Sequence, residues 1–176
     1  MAKQDREKWN ARYLKHSGDH SPSQIVLKYH LLASKGRALD IACGNGRNAI
    51  FLSQQGFQVD AVDISDVALN RLARKERRIN VICRDIDDWQ IPQHKYRLIL
   101  NIRFLDRRLF PMIKQGLQPG GVLIFESFID EKKDYCLKPN ELLHEFGSFH
   151  ILYYEERENP PSDTFDQSVS MVAVKR

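Results

Sequence analysis

The stretch Ala38-Leu39-Asp40-Ile41-Ala42-Cys43-Gly44-Asn45-Gly46-Arg47-Asn48 decides the fold. Its first five residues, apolar except for Asp40, read as a short buried strand that runs straight into Gly44-x-Gly46. A helix follows at once. Ile50, Phe51 and Leu52 lie in the segment Arg47 to Gln55, and Gly56 supplies its C-cap. Glycine at such a turn takes backbone angles that other residues avoid, and it lets a ligand lie on the main chain. Strand, glycine turn and helix in this order open a parallel sheet that binds its ligand beyond the carboxyl ends of the strands.

The same alternation continues outward. Phe57 to Val62 reads as a second strand, ended by Asp63, and Ser65 or Asp66 caps a helix bearing Val67, Ala68, Leu69 and Leu72. Asn80 to Cys83 and Arg97 to Ile102 are the third and fourth strands. A helix spans about Arg107 to Leu117, Gln118-Pro119-Gly120-Gly121 turns, and Val122 to Phe125 is the fifth strand. Pro139 suits the first turn of a helix through Leu142, Leu143 and Phe146. Phe149 to Tyr154 and Ser168 to Val174 are strands joined by the polar segment Glu155 to Asp166, too short for a helical crossover, so they pair antiparallel. The expected class is α/β, a mostly parallel sheet between helices. Ahead of it, Asp5 to Leu14 puts Trp9, Tyr13 and Leu14 on roughly one helical face, and Gln24 to Leu32 forms a second helix. These helices either cover the sheet edge or close over the ligand crevice. The expected organisation is one domain over residues 1–176, with a helical cap (1–34) on a core (35–176).

Composition agrees. The chain has 176 residues, 27 Lys plus Arg against 23 Asp plus Glu, and 42% hydrophobic residues, an ordinary soluble globule rather than a disordered or collagen-like chain. No stretch approaches the ~20 apolar residues that span a bilayer. The N-terminus, MAKQDREKWN, lacks the apolar core of a secretory signal, so a cytoplasmic location without membrane attachment is expected. Three cysteines without a C-x-x-C imply neither a disulfide framework nor a metal site. Arg71, Arg74, Lys75, Arg77 and Arg78 read first as a solvated helix end that complements the helix dipole, with a binding patch as the alternative.

The ligand is legible from acids. Asp63 stands 19 residues after Gly44, where a carboxylate can accept both ribose hydroxyls of an adenosine. Gly44 to Ala49 also satisfies G-x-G-x-x-[GA], which makes a nicotinamide or flavin dinucleotide a competitor. Asp40 and Asp85 argue against it: carboxylates here repel a diphosphate and suit an ammonium group. S-adenosylmethionine carries an ammonium and a sulfonium and no phosphate.

Ala38 to Asn48 and Val62-Asp63-Ile64-Ser65 closely resemble the first two motifs of class I S-adenosylmethionine-dependent methyltransferases. The likeness continues through Asp85-Ile86, Phe104-Leu105-x-Arg107-x-Leu109-Phe110-Pro111 and Leu117-x-Pro119-Gly120-Gly121-x-Leu123-Ile124-x-Glu126, and includes Trp9-x-x-Arg12-Tyr13 and Lys138 to Leu143. It is most similar to the small bacterial branch of tellurite-resistance and thiopurine S-methyltransferases. The resemblance implies a three-layer Rossmann-like fold, strand order 3-2-1-4-5-7-6 with strand seven antiparallel. It implies that the Gly44–Gly46 loop meets the methionine part, Asp63 the ribose, Ile64 the adenine face, and Asp85 with the Ile86 main chain the adenine edge. Asp40, Ala42, Cys43, Asn45, Asn48 and Asn101 complete the expected cofactor site. Asp106 departs from a histidine common in close relatives.

For the acceptor, Arg103 beside Asn101, with Trp9, Arg12 and Tyr13 closing from the N-terminus, are the candidates. No nucleophilic triad stands out, and no catalytic residue is named. Strand four lacks Asn-Pro-Pro-Tyr and a following Pro-Cys, and few residues lie outside the core, so a small molecule is expected rather than nucleic acid. A thiol or metalloid oxyanion fits the branch. The chain is expected as a monomer or homodimer. A non-catalytic S-adenosylmethionine-binding module and an NAD(P)-dependent oxidoreductase are the alternatives.

Overall fold

The computed structural model describes residues 2–15, 21–161 and 163–176. Helix α1 (Ala2–Lys15) comes first, then α2 (Gln24–Tyr29), which continues as a 3-10 turn, His30–Leu32. The core then runs β1 (Arg37–Ile41), α3 (Arg47–Gln54), β2 (Gln58–Asp63), α4 (Asp66–Lys75), β3 (Asn80–Cys83) and β4 (Tyr96–Ile102). It ends with α5 (Leu109–Gly116), β5 (Leu117–Ile129), α6 (Glu141–Glu145), β6 (His150–Glu158) and β7 (Gln167–Val174). The strands make one sheet in the order β3-β2-β1-β4-β5-β7-β6, with β7 antiparallel to both β5 and β6.

Two apolar layers hold the helices. On one face Ile25 and Val26 of α2, Ala49 and Leu52 of α3, and Leu69 and Leu72 of α4 pack with Leu98, Leu100, Val122 and Ile124. On the other, Leu109, Phe110 and Ile113 of α5, with Leu142 and Phe146, pack on Leu39, Ile99, Leu123 and Phe125. β1 sits between β2 and β4, so the connections diverge there, and a crevice opens at its carboxyl end.

Several boundaries differ from the sequence expectation. β5 is thirteen residues long because the turn Gln118–Gly121 lies inside it: Leu117 pairs with Tyr96 and Val122 with Leu98. Its far end reaches Ile129 by pairing with Gln167. β6 continues through Glu155–Glu158, assigned to a loop by sequence. These polar residues pair with β7 and face water along the sheet edge, where charge discourages further pairing. Leu152 bulges out between Ile151, opposite Ala173, and Tyr153, opposite Val172. Pro139 stays outside α6 because Asn140 takes a left-handed φ of 60°. Leu14 is 65% exposed and does not share the packed face of α1 with Tyr13.

Candidate functional site

The main chain bends sharply where β1 ends. Ala42, Gly44 and Gly46 have φ of 51°, 56° and 76°. Gly46 donates its N–H to Cys43 O at 2.9 Å and stands at the N-terminus of α3. The two glycines are required for different reasons. A Cβ on Gly44 would fall 2.6 Å from the Tyr13 hydroxyl, whereas one on Gly46 would fall 2.4 Å from Leu72 Cδ1. Gly44 thus borders the crevice under α1, and Gly46 lets α4 pack against the turn.

Asp63 ties the turn together. Gly44 N–H donates to its Oδ2 and Ser65 N–H to its Oδ1, both at 2.8 Å. Both oxygens therefore already accept a main-chain bond, and what acceptor capacity remains faces the turn. Burial raises its carboxyl pKa, against the lowering by main-chain bonds from Ser65, Gly44 and Ile64. Asp40, 1% exposed on β1, has an Oδ2 with no hydrogen-bond partner. Burial pushes its pKa up to about 7, against a main-chain bond from Ala49 and the charge of Arg47. Asn101, also 1% exposed, donates from Nδ2 to Phe104 O at 3.0 Å and leaves Oδ1 without a partner. The register puts Asn101 opposite Ile41 and Asp40 opposite Leu100, so the two side chains lie on opposite faces of the sheet.

Other expected cofactor residues have structural work as well. Asn48 accepts from Ser23 N–H at 2.9 Å, fastening α2 to α3. Asp85 accepts from Asp87 N–H at 2.9 Å and caps a 3-10 turn, and Ile86 packs against the core. Cys43 is buried, donates its N–H to Val62 O, and has its thiol pKa raised by burial. Asn45 is half-buried within the turn.

Residues 38–121, which hold the glycine turn and the acids around it, match the family model of the methyltransferase domain. The chain is 29% identical over 137 residues to hemagglutinin 1 of Eikenella corrodens, covering 68% of this chain and 46% of that one. It is 28% identical over 143 residues to the probable S-adenosyl-L-methionine-dependent methyltransferase TehB of Haemophilus influenzae, covering 71% and 50%. The crystal structure of TehB from H. influenzae superposes with a TM-score of 0.79 at 20% identity, over 96% of this chain and 67% of that one. The chain spans about half the length of these curated relatives. The fold is that of class I S-adenosylmethionine-dependent methyltransferases, as the sequence motifs implied.

The crevice at the glycine turn is roofed by α1. Arg6 donates to Ile64 O at 3.1 Å, and Asn10 donates to Asp66 Oδ1 at 2.7 Å and accepts from Ser65 Oγ at 2.6 Å. Arg71 donates to Tyr13 O. Tyr13 stacks on Trp9 with ring centroids 6.0 Å apart, and the Arg12 guanidinium lies over Trp9 at 5.1 Å. Burial, then the charges of Asp63 and Cys43, push the Tyr13 phenol far above its ordinary pKa, so it stays protonated as a neutral donor. Arg103 follows β4 with φ 57° and binds Glu126 through its N–H (2.6 Å) and guanidinium (3.4 Å). It is tied to β5, whereas Arg12 is exposed on α1. Sequence reasoning missed Asn10 and Arg71, whose partners lie more than 50 residues away and leave no local pattern. Among the described residues no helix is long and apolar enough to cross a membrane.

Proposed function

We propose that this chain transfers the methyl group of S-adenosylmethionine to a small-molecule acceptor, a thiol or a metalloid oxyanion. The observation that carries this reading is the unpaired Oδ2 of buried Asp40 under the glycine turn. An uncompensated buried carboxylate costs several kcal/mol, so such a site favours a ligand that brings positive charge. An ammonium group suits Asp40, and a diphosphate does not. When bound, the cofactor supplies an electrophilic methyl group on a sulfonium.

The chain's own residues then hold and orient. Asp40 receives the ammonium, the remaining acceptor capacity of Asp63 meets the ribose hydroxyls, and Ile64 with the Asp85–Ile86 segment borders adenine. The roof of α1 excludes water, with Trp9 and Tyr13 facing positive charge as aromatic surfaces. Arg103 and Asn101 border the acceptor. A soft nucleophile donates its own lone pair, so alignment rather than a base is what the protein must supply, an effect worth up to ~7–11 kcal/mol. Residues 1–176 act as one unit, a cap and a core.

Calorimetry with S-adenosylhomocysteine and with NADH tests the cofactor: only the first is expected to bind. A screen of thiols, tellurite and oxygen or nitrogen acceptors, read as S-adenosylhomocysteine release, tests the reaction. Binding with no release from any acceptor would leave a non-catalytic module. Binding of NADH alone would reinstate the oxidoreductase.

A further inference from the structure

Arg71 and Leu72 are consecutive on α4, and each reaches one glycine of the turn. Leu72 does so directly, filling the space where Gly46 would carry a Cβ. Arg71 does so through another element. Its guanidinium binds the carbonyl of Tyr13, and the hydroxyl of that same tyrosine rests on Gly44. Tyr13 lies in the last turn of α1, where carbonyls have no partner within the helix, and a cation there also complements the dipole. Arg71 is half-buried, while Arg74, Lys75 and Arg77 of the same basic cluster are exposed or nearly so and Arg78 pairs with Glu76. Of the five residues that read as a solvated helix end, Arg71 therefore has a distinct use.

We propose that Arg71 is a positioning residue of the cofactor site, fixing the Tyr13 hydroxyl over Gly44 by holding the tyrosine's main chain. The bound ligand meets a hydroxyl already in place, rather than one that must be ordered on binding. This rests on the reading of the glycine turn as the S-adenosylmethionine site. It adds that α4, outside the crevice, sets the roof as well as the floor.

The test is calorimetry of S-adenosylhomocysteine with the full chain carrying Tyr13→Phe, Arg71→Met, Arg71→Lys, or Tyr13→Phe with Arg71→Met. A single neutral hydrogen bond is worth ~0.5–1.5 kcal/mol, so each of Tyr13→Phe and Arg71→Met is expected to weaken binding by ~2–10-fold. Because both act through one hydroxyl, the double variant is expected to bind no more weakly than the worse single, and Arg71→Lys to recover part of the loss. A stability role alone would lower the melting temperature without this non-additivity. Unchanged affinity in Arg71→Met, or losses that multiply in the double variant, overturns the proposal while the cofactor site stands. Should Arg71→Met not fold, full wild-type affinity in both Tyr13→Phe and Arg71→Lys overturns it equally. A wild-type chain that does not bind S-adenosylhomocysteine overturns the cofactor reading and this inference together.

Discussion

Two aspartates sit one register step apart on neighbouring strands, Asp40 opposite Ala61 and Asp60 opposite Leu39, and they face opposite layers. Both are buried, at 1% and 0% exposure. Asp60 is fully provided for: Lys95 Nζ at 2.8 Å, Tyr96 OH at 2.9 Å, Asn80 Nδ2 at 3.0 Å and Arg37 Nη1 at 3.2 Å all reach its oxygens. Burial raises its pKa, but the bonds from Lys95, Asn80 and Tyr96 outweigh that, and its carboxyl titrates below the ordinary range. Asp40 keeps an oxygen without a partner and titrates near 7. One carboxylate knits β1, β2, β3 and β4 together; the other is held incomplete where a ligand can complete it. Under-satisfaction, rather than burial or charge as such, separates these two carboxylates.

Four predictions test that contrast. The largest effect is expected at Asp60→Ala, which strands the Tyr96 hydroxyl in the core. Arg37 and Lys95 can still reach water, so the loss falls near the lower end of the range for broken buried pairs, about 3 kcal/mol by urea denaturation. Binding of S-adenosylhomocysteine by the folded fraction should be unaltered; a specific loss of affinity would erase the distinction between the two acids. Gly46→Val comes next, at about 2–3 kcal/mol, because it adds left-handed strain to overlap with Leu72. Its damage should appear in stability at least as much as in binding. Intact stability with lost binding would show that Gly46 borders the ligand.

Asp63→Ala removes the acceptor from both Gly44 and Ser65, and is expected to weaken S-adenosylhomocysteine by ~10–100-fold while the chain still folds. Equal affinity would make Asp63 a turn residue only. The subtlest effect is the pH dependence. Asp40 has a folded pKa above its unfolded value, so it remains protonated in the native state after the unfolded chain has lost the proton. Stability should therefore fall as pH rises from about 4 to about 7, by at most ~1.4 kcal/mol per unit, and Asp40→Asn should flatten that slope. Asp60 has the opposite sign, its contribution present above about pH 4 and lost on acidification. Affinity for S-adenosylhomocysteine should weaken below pH 7 in the wild type and lose that dependence in Asp40→Asn. A wild-type affinity flat from pH 5 to 8 would remove the ammonium from Asp40.

What the sequence revealed follows from where the information lies. The order of strands and the glycine turn were legible because Ala38–Ala42, Phe57–Val62 and Val122–Phe125 are buried apolar runs with glycine punctuation between them. Glu155–Glu158 could not be read as strand, since their pairing with β7 leaves them facing water and carries no apolar alternation. The acids at the strand ends announced themselves by position alone. Their difference in satisfaction did not, because the partners of Asp60 come from β1, β3 and β4, separated by up to 36 residues. The same holds for Arg71, which meets Tyr13 across 58 residues and looked like any cation at a helix end.

The adjacent strands β1 and β4 are each followed at once by a non-glycine residue in the left-handed region, Ala42 and Arg103. Such a conformation costs ~1–2 kcal/mol per residue and makes these positions natural targets for thermal stabilisation. Replacing Ala42 by glycine should relax the backbone at one rim and leave its path unchanged, whereas valine there would drive the strand tip outward. Tolerance to side-chain branching at these two rims is thus a gauge of how firmly the opening between them is held.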